Sequence, residues 1–360
     1  MDQALHINAT VLPGDEPVDF WVVDGRVTFE PVKHATTLAS GAFVLPGLVD
    51  AHCHIGLGVE GAVDDATARA QAEADLAVGV MLIRDAGSPK DTRPMQQDPT
   101  LPRIIRSGRH VARARRYIRN LAEEVEPEQF VEQLRHEARS GDGWVKFVGD
   151  WIDRSVGDLA PSFPADVVRE AVAAAHEEGA KVTSHCFAEQ SVAEIIDAGA
   201  DCIEHGTGLD DDQIAVMAER GVALVPTMIN LARFTDYAAQ GEAKFPTYSA
   251  HMRDLHARRY ETIGKAYDAG VPIYTGTDAG TVIKHGRVID EIEELAKVGG
   301  AEFALGAASW RAREWLGVDA VVEGASADFV VYSEDPRSAL QTLRSPLHRV
   351  LRGKVLATHV

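Results

Sequence analysis

The chain has 360 residues, of which 45% are hydrophobic and 25% charged, and its formal net charge is −19. That composition is ordinary for a globular protein with a sizeable core. The negative excess excludes nucleic acid and anionic membrane surfaces as partners, because their phosphates would be repelled.

At the N-terminus, MDQALHINATVLPGDEP lacks the basic start and apolar core of a secretory signal. No run approaches the roughly eighteen apolar residues of a membrane span. A cytoplasmic protein is expected. Residues 1–44 read as short strands and turns, with VDFWVVDGRVTFE arranged around the hairpin signal Asp24-Gly25. Residues 318–360 read the same way, through ADFVVYSEDP and HRVLRGKVLATHV. The two β-rich ends are expected to join in one small β-sandwich.

The body, residues 45–317, alternates. Eight apolar strand-like runs follow in order: AFVLPGLVDAH, VGVMLIRDAG, LPRIIRSG, WVKFVGD, AKVTSH, ADCIEHG, GVALVPT and GVPIYTGTD. Helical patterns such as PADVVREAVAAAHEEG, EQSVAEIIDAG and DDDQIAVMAERG separate most of them, the last with an Asp-rich start and a Gly stop. The expected fold class is therefore α/β: a (β/α)8 TIM barrel with the β-sandwich attached. Residues 228–250, MINLARFTDYAAQGEAKFPTYSA, interrupt this rhythm after the seventh strand. They read either as a lid over the strand exits or as an irregular connection with a helical turn.

The chemistry sits at strand ends. His52 and His54 close the first strand two residues apart, so their imidazoles share a face while Cys53 points away. Imidazole is the commonest ligand for zinc-type metals. Asp50, on the same face, reads as a hydrogen-bond acceptor behind the ligands. His185 and His205 end the fifth and sixth strands, 20 residues apart, which is about one βα unit. They should occupy equivalent places at the barrel mouth. Asp278 ends the eighth strand, beside the first once a barrel closes. There it would ligate a metal and take a proton from water; an Asp at such a turn also serves as a helix N-cap. Cys53, Cys186 and Cys202 each lie beside a candidate ligand, but an odd number without a CxxC pair reads as small core residues.

Lys146 stands in the middle of the apolar strand WVKFV. A buried ammonium is costly unless paired or neutralised. One resolution is snorkelling or an ion pair. The other is a depressed pKa, so that the neutral amine takes up CO2 and the carbamate bridges two metals.

Together these residues resemble the amidohydrolase superfamily. PGLVDAHCH is similar to its first-strand motif, VKF to its fourth-strand Lys, SHC and EHGT to its fifth- and sixth-strand His, and TGTDAG to its eighth-strand Asp. The segment from SHCFAEQSV to VALVPT resembles the imidazolonepropionase-like and prolidase-like branch, which contains metal-dependent dipeptidases. The resemblance implies two divalent metal ions, zinc first among them. His52, His54 and Asp278 would hold the more buried ion, His185 and His205 the more exposed one, and carboxylated Lys146 would bridge both. It implies cleavage of an amide-type C–N bond by metal-bridged hydroxide, in a dipeptide (Xaa-Pro or similar) or an N-acyl amino acid. His110 and Tyr117 are candidates to polarise the carbonyl or grip this small-molecule substrate, although the surroundings of His110 depart from the family's Gly-rich stretch. Seven arginines between 103 and 119 offer one or two partners for a substrate carboxylate. His285-Gly286 reads as a loop anchor. The alternatives are a mononuclear deaminase or cyclic-imide hydrolase of the same superfamily, and a non-catalytic scaffold. Assembly into a homo-oligomer is a property of many relatives.

Overall fold

The computed structural model describes residues 4–357. Both ends of the chain enter one seven-stranded sheet. Its order is Lys354–Val355, His348–Leu351, Phe329–Tyr332, Thr36–Pro46, Leu5–Val11, Pro17–Val23, Arg26–Thr28. The joint between the two ends is the antiparallel pairing of Val44 with Val331. Asp24 and Gly25, both at positive φ, make the tight turn between the last two strands of that order. Strand alternation gives the sheet two faces. Ile7, Phe20, Val44, Phe329 and Val331 pack on one another in a separate small core. Leu45, Val330 and Tyr332 point the other way, into the main core. The pairing runs through one continuous sheet; the two-layer sandwich is not resolved as two sheets.

The body is a TIM-barrel-like α/β fold. Leu48–Cys53, Val80–Asp85 and Arg103–Arg106 run parallel. So do Val111–Arg113, Trp144–Val148, Lys181–Cys186, Cys202–His205 and Ala223–Val225. The eighth predicted strand forms no long ladder, but its backbone bonds on both sides. Leu224 N donates to Pro272 O, and Ala51 N donates to Thr275 O. Helices Asp65–Ala77, Ala165–Glu177, Glu189–Asp197 and Asp211–Arg220 connect the strands. The last begins with a capping box, Asp210 with Gln213, and ends on Gly221 in the left-handed region.

Two segments differ from expectation. Residues after the third strand contain Val111–Arg113, which pairs with Glu123–Val125 and touches Trp144–Val148 through Val111 and Phe147. Three-residue strands carry too little periodicity to be seen in sequence. Residues 228–250 hold the helices Met228–Leu231 and Phe234–Gly241 and the first turn of the 23-residue helix Pro246–Asp268.

Candidate active site

The register brings the predicted residues together. Val148 pairs with His185, and Cys186 with His205, so neighbouring strands end at one level. The rings of His52 and His54 lie 5.3 Å apart, those of His52 and His205 5.3 Å, and those of His185 and His205 4.7 Å. Asp278 Oδ1 sits 3.3 Å from His52 Nε2 and 3.2 Å from His54 Nε2. One ligand atom each from His52, His205 and Asp278 falls within 4.8 Å of the others. Lys146 is buried at 3% exposure, lines the same cavity, and has no ion-pair partner among the described residues.

Three of the four imidazoles are tied at one nitrogen, which orients the ring and leaves the other for a ligand. His52 Nδ1 donates to Glu204 Oε2 at 2.7 Å, and His54 Nδ1 to the carbonyl of Gly87 at 2.6 Å. His205 Nδ1 is bonded to Thr227 Oγ1 at 2.7 Å. His185 differs: its Nε2 lies 3.7 Å from Asp150 Oδ1, and neither atom has a hydrogen-bond partner.

The electrostatics suit a cation. Burial drives His185 well below its ordinary pKa, helped by His205 and Lys146, and takes His205 down to about 3. Both rings are neutral, as metal ligation requires. Burial opposes charge on Asp278, but the His52 ring and the hydrogen bonds from His52 and His54 outweigh it and hold the carboxyl well below its ordinary pKa. Burial also lowers Lys146, against the pull of Glu204 and Asp278, toward the amine that carbamate formation needs. Four imidazoles, a carboxylate and a lysine amine fit a divalent transition metal.

The site is held under backbone strain. His205, Thr227 and Asp278 have φ of +70°, +51° and +56°. Non-glycine residues there cost about 1–3 kcal/mol each and concentrate at functional sites. No helix begins at Asp278, the next starting at Val288, and its backbone N donates to His52 O. Asp50 fixes this turn from behind. It accepts from Thr277 Oγ1 at 2.6 Å and from His52 N at 3.2 Å, in keeping with a carboxylate behind the ligands.

Several contributors were missed in the sequence. Glu204 bonds Arg84 Nη2 at 2.6 Å as well as His52, and Thr183 Oγ1 donates to the same carboxylate. The Arg84 guanidinium lies over the rings of Trp144 and Trp315, at 4.6 and 5.0 Å. Charged residues inside the apolar runs MLIRD and CIEH were a signal of the same kind as Lys146. Asn230 Nδ2 donates to Asp278 Oδ2 at 2.7 Å, and Tyr237 OH donates to Asn230 Oδ1 at 2.8 Å. These two residues had no sequence signal.

His110 and Tyr117 both line the cavity, with rings 5.7 Å apart. His110 Nδ1 points at Gly87 O at 3.1 Å, and burial holds the ring neutral. Its unbonded Nε2 therefore presents a lone pair, which suits gripping a substrate N–H better than polarising a carbonyl. None of the seven arginines lines the cavity. Arg113 and Arg116 donate to carbonyls of residues 160–162, and Arg106 and Arg109 pair with Asp142 and Glu123. The expectation that one or two meet substrate is corrected. His285 Nδ1 bonds Asp75 Oδ2 at 2.8 Å, and Gly286 N donates to the same carboxylate, so this pair ties its loop to helix Asp65–Ala77. The three cysteines are free and buried. No helix among the described residues is long and apolar enough to cross a membrane.

Comparison with known proteins agrees with this geometry. An uncharacterized protein of Mycobacterium tuberculosis is 52% identical over 352 residues, covering 97% of this chain and 95% of that one. A crystal structure of a Xaa-Pro dipeptidase with methionine bound in its active site superposes with a TM-score of 0.81 at 21% identity, over 98% of this chain and 100% of that one. A putative prolidase from Bifidobacterium longum gives 0.80 at 24% identity, over 98% and 94%. The Amidohydrolase family matches residues 43–356. The chain belongs to the amidohydrolase family and is a hydrolase acting on carbon–nitrogen bonds.

Proposed function

We propose that this hydrolase holds two divalent metal ions, zinc first among the candidates, and adds water to an amide-type C–N bond. The observation that carries this reading is the convergence of His52, His54, Lys146, His185, His205 and Asp278 on one cavity. His52, His54 and Asp278 would hold the deeper ion, and His185 and His205 the outer one. Lys146, carboxylated by CO2, would bridge them. When bound, such ions polarise a carbonyl and acidify water toward neutrality.

The chain's own residues supply the rest. Asp278 accepts the proton of the attacking water and returns it to the leaving nitrogen. Asn230, itself held by Tyr237, keeps the second oxygen of Asp278 in place. His110 and Tyr117 grip the substrate. Dipeptides of the Xaa-Pro kind and N-acyl amino acids are the peptide-like candidates within this class, which also takes in uncharged amides. We further propose that the eight strands close as a barrel over residues 45–317, with 1–44 and 318–360 as the attached β domain.

One observation favours a second reading, a mononuclear deaminase or cyclic-imide hydrolase. His52, His205 and Asp278 already draw together tightly enough for a single ion. Metal content per chain decides, measured by elemental analysis on protein prepared with bicarbonate and without chelator. Close to two supports the bridged pair; close to one supports the second reading. No metal, even after zinc or manganese is added back, overturns both.

A further inference from the structure

Resting on the hydrolase reading above, we propose that the preferred substrate is an amide uncharged on both sides of its C–N bond. At least one flank would be aromatic or bulky and apolar.

The cavity over the candidate ligands has a volume of about 460 Å3, within the range for a small organic molecule. Its walls are aromatic: Tyr117, Trp151, Phe187, Tyr237, Phe245 and Tyr248. Tyr117 and Trp151 meet edge to face at 4.8 Å, and Phe187 packs 4.2 Å from the His185 ring, so the apolar wall reaches the ligands themselves. Such faces take flat apolar groups in offset or edge contact.

Charge is what the cavity lacks. Beyond the candidate ligands, Lys244 is the one charged side chain among the described lining residues. It is exposed, and its ammonium lies 5.2 Å from the centre of the Phe245 ring. No arginine reaches in to receive a carboxylate. An incoming ammonium finds no carboxylate except Asp278, which His52, His54 and Asn230 already engage. A free dipeptide carries both charges; its carboxylate would find only the exposed Lys244 and its ammonium only the engaged Asp278, so neither is well paired on desolvation. A neutral amide carries no such penalty. Water adds to its carbonyl carbon, the C–N bond breaks, and the nitrogen leaves with a proton, giving a carboxylic acid and an amine. No further reactant enters.

Four matched probes test this on the metal-loaded, full-length enzyme: phenylacetanilide, its 4-carboxy derivative, phenylalanine anilide, and phenylalanyl-4-aminobenzoate. They present no charge, a carboxylate, an ammonium, and both. Arylamine release gives kcat/KM, and quenching of tryptophan fluorescence gives affinity independently of turnover. The expected result is a preference of about 100-fold for the neutral probe over the zwitterion, with the singly charged probes between. Val282→Arg, at a half-exposed wall position, should raise the ratio of kcat/KM for the carboxylate probe over the neutral probe about 10-fold. A neutral-first affinity order without turnover of any probe keeps this substrate preference and sinks the hydrolase reading. Equal or better use of the zwitterion overturns the preference and keeps the hydrolase. No binding of the neutral probe at its solubility limit also overturns the preference.

Discussion

The terminal sheet and the mouth of the strands obey different rules. In the sheet, apolar residues alternate, Asp24-Gly25 makes the turn, and Phe20, Val44, Phe329 and Val331 are fully buried on one another. The mouth holds the buried charges Lys146 and Glu204, with Arg84 behind them, and the unbonded atoms His185 Nε2 and Asp150 Oδ1. Local rules are satisfied where the structure only has to be stable. They are broken where side chains must be aimed at something outside the chain.

Substitutions sharpen or break that contrast. The largest effect should come from Asp278→Asn, which removes the proton acceptor and should lower kcat about 10³-fold with little change in substrate affinity. An unchanged rate in steady-state assays would remove Asp278 from that role. Lys146→Ala should lose one or both metals per chain and about 100-fold in activity; full metal content by elemental analysis would rule out a bridge. Glu204→Gln, which weakens the partner of His52, should reduce metal affinity about 10-fold in chelator competition.

Phe329→Ala, in the sheet, should cost about 3–5 kcal/mol in denaturant unfolding and leave metal content and kcat of the folded protein alone. A matching loss of kcat would break the contrast. The effect smallest per pH unit concerns Glu291, which burial lifts to about 8 although it accepts from Met228 N and Ile229 N. Its folded pKa lies above its unfolded value, so the native state retains a proton that the unfolded chain releases. Stability should therefore fall as pH rises from about 4.3, the unfolded value, to about 8. The slope is at most about 1.4 kcal/mol per pH unit. Glu291→Gln should flatten this difference in parallel denaturation curves, and an unchanged slope would refute it.

Much of this was readable in sequence because it rests on short-range periodicity. His52 and His54 share a strand face, and 20 residues set His185 and His205 on adjacent strands. Lys146 stood out because an ammonium in an apolar run needs a reason. Glu204 and Arg84 stood in equally apolar runs, but they neutralise each other across 120 residues, and such pairing appears only once the strands are side by side. Asn230 and Tyr237 come from helices whose docking is set by tertiary packing rather than by pattern. The arginine-rich stretch misled for the opposite reason. Its charge is local, but its hydrogen bonds go outward and sideways, so proximity in sequence to a strand exit did not become proximity to substrate.

The hydrogen-bonded line from His52 through Glu204 to Arg84 ends on two indole rings, Trp144 and Trp315. A cation that replaces a proton on His52 changes the charge at one end of that line, and the guanidinium at the other end rests on natural fluorophores. The two indoles thereby act as an optical gauge of the site above them. Tryptophan emission should titrate with metal occupancy, and Trp144→Phe with Trp315→Phe should reduce the signal to the share of Trp151, which lies 5.6 Å from the His185 ring, while the metals still bind.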